Sequence, residues 1–129
     1  LKINKQLLTL NYNNMAKFIS VEVSGNANNF LNGAHLIPVD EIVSVEQTAA
    51  QTLKVHLNTL KSNYDEIELT FSTVNDSAAP ANPVFATGGP LRDAFNYSLT
   101  GNPGGVKATP YFGKDDNDDQ VFLVALAYS

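Results

Sequence analysis

Cysteine is absent from the 129 residues. No disulfide, thiolate nucleophile or cysteine-based zinc site can therefore be built. Tryptophan is absent as well, and methionine occurs once, at Met15. Positive charge is scarce: eight basic residues, with Arg92 the single arginine, stand against thirteen acidic ones for a net charge of −5. Phosphate backbones are held by clustered Lys and Arg that displace counterions, so this scattered set argues against a nucleic-acid surface. It argues equally against an anionic membrane. No apolar run approaches the length of a membrane-spanning helix. The N-terminus lacks a signal-peptide layout, its apolar residues being dispersed among Asn, Lys and Gln. No internal repeat is present.

Among the features that are present, the stretch from Gly88 to Pro103 organises the rest, as the one strong helix signal. Pro90 suits a first helical position, where its missing N–H costs nothing. Leu91, Ala94, Phe95 and Leu99 recur at helical spacing and form one apolar stripe. Asp93 places a negative charge at the positive end of the helix dipole. Gly101 and Pro103 supply the stop. A helix this short is marginal alone and needs a surface to lie on.

Strands supply that surface. Phe18 to Ser24 alternates, with Ile19, Val21 and Val23 on one face. Leu36 to Val39 is short and extended. Ile42 to Gln47, with Val43 and Val45 on one face, is followed by a four-residue connection, Thr48 to Gln51. Leu53, Val55 and Leu57 form the next apolar face, and Ile67, Leu69 and Phe71 the one after. These three strands read as a meander with one dry face and one wet face. Residues 72–87 form a long connection into the helix. Val106 to Phe112 is a strand interrupted by Pro110, and Val121 to Tyr128 is the last strand. The fold class expected is therefore α+β and β-rich: a mostly antiparallel sheet or partly closed barrel of about six or seven strands, with one helix near residues 90–100.

Residues 1–14 differ in composition from the remainder. They contain Leu, Lys, Ile, Asn, Gln, Thr and Tyr, and no Gly, Ala, Val, Pro, Asp or Glu. Met15-Ala16-Lys17-Phe18 then looks like an ordinary protein start. The expectation is a non-native N-terminal extension, 1–14, ahead of one globular domain, 15–129. The rival reading is a genuine arm carrying Ile3, Leu7, Leu8 and Leu10.

Candidate chemistry is sparse. Asp115, Asn117 and Asp119 occupy alternate positions, like the opening of a calcium loop, and are the candidate metal ligands. Gln120 stands where such a loop needs glycine, and Leu126 where it needs a bidentate glutamate. A solvated hairpin turn is the competing reading. His35 and His56 are far apart in sequence and fall in no metal or triad spacing. No cofactor is implied. The final strand is apolar on both faces. Its Phe122, Val124, Leu126 and Tyr128 would share one face that needs covering by the helix, the N-terminal arm or a second subunit, and are the candidate oligomer interface.

One resemblance covers most of residues 15–129. The start Met15-Ala16-Lys17-Phe18-Ile19, the run Ile37-Pro38-Val39-Asp40-Glu41-Ile42-Val43-Ser44-Val45, and Leu91-Arg92-Asp93-Ala94-Phe95 ahead of Asn102-Pro103-Gly104-Gly105-Val106 carry it. In these the chain resembles small uncharacterised proteins of T-even-type tailed phages of marine cyanobacteria. The resemblance implies a virion-associated or accessory protein and brings no catalytic residue with it. The function expected is a non-enzymatic structural or assembly protein, phage-derived and homo-oligomeric, with other virion proteins as further partners. The alternative is a small binding module for a peptide, a glycan or calcium, using loop 72–87 or the acidic turn 115–119.

Overall fold

Alternating side chains become two stacked layers. The computed structural model describes residues 18–100 and 106–129. The extension 1–14 and the helix-stop residues Gly101 and Pro103 lie outside the described residues. The strands are β1 (Phe18–Val23), β2 (Gly33–Pro38), β3 (Ile42–Ala49), β4 (Thr52–Leu57), β5 (Glu66–Ser72), β6 (Lys107–Ala108) and β7 (Phe122–Tyr128). The helix α1 spans Pro90–Thr100. One sheet has the order β2-β1-β6 and the other β3-β4-β5-β7. The fold is thus β-rich α+β, built as two sheets rather than a partly closed barrel. All pairings are antiparallel except the short one between β1 and β6.

The core lies where the dry faces meet. Ile19, Val21 and Val23 of β1 and Ile37 of β2 join Leu53 and Val55 of β4, and Ile67, Leu69 and Phe71 of β5, in one buried cluster. Leu91 and Phe95 of α1, Leu123 and Leu126 of β7, and Leu57, Ala108 and Val121 belong to it as well. Ala94 and Leu99, the other two members of the expected stripe, are half-buried at its margin.

Several boundaries depart from local pattern, each for a traceable reason. β2 begins at Gly33, earlier than its apolar residues suggest, because Gly33, Ala34 and His35 pair with Val23, Glu22 and Val21 of β1. His35 is thereby a strand residue. Val43 and Val45 do not share a face. A register shift between Ile42 and Ser44 makes Val43 the extra residue of a bulge, exposed at the sheet edge, while Ile42 and Val45 pack on the core. The β3–β4 connection is tighter than four residues, since Ala49 already pairs with Thr52. The expected strand 106–112 shrinks to Lys107–Ala108, ahead of Pro110, which has no N–H to offer a ladder.

The start of α1 is capped from another strand. Gln47 Oε1 of β3 accepts from the backbone N–H groups of Leu91 (3.0 Å) and Arg92 (3.3 Å). Those donors have no partner within the helix, and an oxygen in this place is worth about 1 kcal/mol. Gln47 thus fixes where the helix meets the sandwich edge.

Candidate functional site

The acidic turn is a clasp. Asp115 is buried, and its carboxylate is occupied by the backbone. Oδ1 accepts from Asn117 N–H (3.0 Å) and Asp119 N–H (2.9 Å), and Oδ2 from Val84 N–H (3.0 Å). Asp116 Oδ2 accepts from Ala86 N–H at 2.6 Å, and Asp116 N–H donates to the Val84 carbonyl at 2.9 Å. The turn therefore closes on itself and grips the far end of the long loop. Asp118 takes the left-handed conformation (φ 65°), which Asp tolerates better than most residues. Asp115, Asn117 and Asp119, proposed from sequence as metal ligands, are brought together as a hydrogen-bonded turn. Among the described residues no group of three or more His, Cys, Asp or Glu side chains converges on a point.

These donors set the titration of Asp115. The Val84 N–H holds its carboxyl below the ordinary value of 3.8, burial opposes this, and the Asp119 and Asn117 N–H groups add to the lowering. A depressed carboxylate stabilises the fold above its unfolded-state pKa and loses that contribution as pH falls through the folded one. Asp115→Ala is expected to lower the thermal midpoint at pH 7. The gap to the parent protein should close in acid, below the range where Asp115 ionises. Thermal melts from pH 7 to pH 2 check this, and a gap independent of pH would contradict the clasp.

The last strand does not present one open apolar face. Leu69 lies opposite Leu126 and Thr70 opposite Ala125, but Phe71 lies opposite Leu123. Val124 is the extra residue of a bulge, and beyond it the inward face changes parity. Leu126 and Tyr128 share the inner face with Leu69 and Ile67, whereas Phe122 lies opposite Ser72 on the outer face. Val124 is only 1% exposed, and its carbonyl accepts from Asn26 Nδ2 at 2.6 Å. Ser72 is itself covered by the chain: its Oγ accepts from the N–H groups of Val74 and Ala81 as loop 72–87 folds back. Loop 72–87 thus covers the outer face at Ser72, and the Asn26 side chain reaches the backbone at Val124. Phe122, Val124, Leu126 and Tyr128 therefore do not lie on one shared face of the strand.

What the structure does assemble is a cleft of about 410 Å³ at one end of the sandwich. Ile37, Leu57 and Ile67 form its buried floor. Tyr64 and Tyr128 form a wall, their rings 4.9 Å apart and tilted by 46°. Glu41 and Lys61 supply one charge of each sign at the rim. The loop that carries Tyr64 is tied down by Asn58. That residue's side chain accepts from Leu60 N–H, its carbonyl accepts from Lys61 and Ser62 N–H, and its own N–H donates to the Glu41 carbonyl. Tyr64 N–H in turn donates to Ser62 Oγ (3.1 Å). The C-terminal end of β7 is held by Ser129, whose carbonyl accepts from Asp65 (2.7 Å) and Glu66 (3.2 Å) N–H. Burial, then the neighbouring Tyr64 and Glu41, raise the Tyr128 hydroxyl above its ordinary value of 10.0. Tyr128 is accordingly neutral at physiological pH.

No family model, curated protein or solved structure matches the chain.

The histidines stand apart from the cleft. His35 Nε2 lies 2.7 Å from the Leu31 carbonyl, and His56 Nε2 lies 3.2 Å from Glu46 Oε2 on the neighbouring strand. Exposed ion pairs such as Lys61–Asp40 (3.6 Å) and Lys114–Asp118 (3.4 Å) contribute little. No helix among the described residues is long and apolar enough to cross a membrane. Sequence reasoning missed the cleft because Tyr64 lies in the loop between β4 and β5 and Tyr128 at the end of β7. No local signal joins them.

Proposed function

We propose that the protein is a non-enzymatic structural or assembly subunit that works as a homo-oligomer, of the phage-associated kind its sequence resembles. One observation carries this reading. Leu36, Tyr64 and Tyr128 line the cleft and are exposed. Leu60, in the adjoining loop, is 94% exposed, and Val43, beside the Ile42–Leu57 pair, is also open. Five large apolar side chains at one end of a small domain are characteristic of a surface that meets another protein.

The test is the solution mass of the full chain by light scattering after size exclusion. A mass that is a multiple of 13.9 kDa is expected. A monomer at every concentration would overturn the assembly reading in favour of a small binding module for a peptide or glycan.

A further inference from the structure

The cleft between Tyr64 and Tyr128 opens beside the place where the N-terminal residues enter the fold. Phe18, the first residue of β1, pairs with Pro38 at the end of β2. Pro38 lines the cleft together with Leu36 and Ile37. Neighbouring strands lie about 5 Å apart. The chain ahead of Phe18 therefore joins β1 one strand's width from the cleft wall. Residues 1–17 make up that chain. Fully extended they span at most roughly 60 Å, ample for a segment that turns back across the cleft.

Their composition matches the cleft in two respects. The first is apolarity. Leu8, Leu10 and Tyr12 alternate with Thr9 and Asn11, so an extended run presents all three on one side. Asn13 and Asn14, which favour turns, stand between that run and β1. The cleft offers a buried floor of Ile37, Leu57 and Ile67, with the exposed side chains of Leu36, Tyr64 and Tyr128 around its mouth. The second is charge. Residues 1–17 hold Lys2, Lys5 and Lys17 and none of the thirteen acidic residues. At the cleft, Lys61 is engaged by Asp40 at 3.6 Å. Glu41 is left as the charge of the lining, and Asp65 is exposed beside Tyr64. A basic, apolar segment thus faces an acidic rim over an apolar floor.

We infer that residues 1–14 dock into the Tyr64–Tyr128 cleft of their own chain, as an arm that covers its apolar floor. Tethering selects the chain's own arm over that of a second copy. A short connection holds a segment at an effective concentration of about millimolar, far above that of separate copies in a micromolar solution. Like charge adds to the preference, because two copies of net charge −5 repel. The inference goes beyond the assembly reading and does not rest on it. Leu60 and Val43 lie outside the cleft lining and stay open to a partner.

The experiment is hydroxyl-radical footprinting of the full chain, with oxidation read residue by residue by mass spectrometry. The parent is compared with a variant carrying Leu8→Asp and Leu10→Asp, and each is measured over a hundredfold range of protein concentration. Both substitutions lie outside the two sheets, and an unchanged thermal midpoint will show that the sheets are intact. Phe30, 97% exposed at the far end of β2, is the internal reference. The expected result is oxidation of Leu36, Tyr64 and Tyr128 at least threefold slower in the parent than in the variant, at every concentration, with Phe30 equal in both. Equal rates at the cleft in parent and variant would overturn the docking. Protection of the parent that fades on dilution would overturn it too, and would assign the cleft to a second copy. Protection that persists in a chain whose solution mass is monomeric would leave the docking standing while the assembly reading falls.

Discussion

Phe71→Ala is expected to cost about 3–5 kcal/mol of folding stability, the largest single-residue loss described for this chain. Phe71 is fully buried on β5 at the centre of the cluster that joins the two sheets and the helix. Its ring meets Phe112 edge to face, with centroids 4.7 Å apart at 65°, a geometry worth about 0.5–1.5 kcal/mol beyond area alone. Its backbone N–H donates to the Gln51 carbonyl at 2.7 Å, so the surrounding strands are held and cannot collapse into the vacated space. For a domain of this size the loss corresponds to a fall of roughly 10–20 °C in thermal midpoint. Denaturant titration of parent and variant measures it directly. A difference under about 1 kcal/mol would mean that the site relaxes or that the two layers do not share one core.

Gly25→Ala is expected to follow closely, at about 3 kcal/mol or more, through backbone conformation and close approach together. Gly25 has φ +66°, and a Cβ there would overlap the Asn75 carbonyl oxygen. The obstacle is main chain, which cannot step aside as a flexible side chain can. It is also held in place: Ser77 N–H donates to the Gly25 carbonyl at 2.8 Å, and Ser24 Oγ lies 2.9 Å from Asn75 Oδ1. The substitution should also free the loop of residues 26–32, whose anchor Asn26 is the next residue. Hydrogen exchange read beside the melt will separate the effects. Faster exchange confined to residues 24–32 and 73–81 would show a local opening. Faster exchange throughout would show global destabilisation, and an unchanged melt would refute the close packing of these loops.

The two substitutions also mark how legible the fold was. Phe71 was readable. Ile67, Leu69 and Phe71 alternate with polar residues, and that period alone places them on a dry face. Gly25 was readable only as a turn residue, because the chain it meets lies about fifty positions away. Val43 and Val124 show a subtler limit. Strict alternation assigns each a face, but a bulge of one residue changes the parity, and nothing in the local sequence marks it. The acidic stretch was legible as a turn. Its other partner, the Val84–Ala86 segment, was not, since loop and turn are 31 residues apart at the Asp115–Val84 bond.

The sequence by itself determined the β-rich character, the apolar faces of β1, β4 and β5, and the span of α1 with its Leu91–Phe95 core face. It did so because those signals recur every two or every three to four residues within one segment, and hydrophobic burial acts on them wherever the segment lies. The tertiary structure alone decided the division into two sheets and the capping of α1 by Gln47. It also decided the clasp of Asp115 on the long loop, and the cleft that joins Tyr64 to Tyr128. Each of these is a contact between residues distant along the chain. Its partner is chosen by how the layers stack, which no local period encodes.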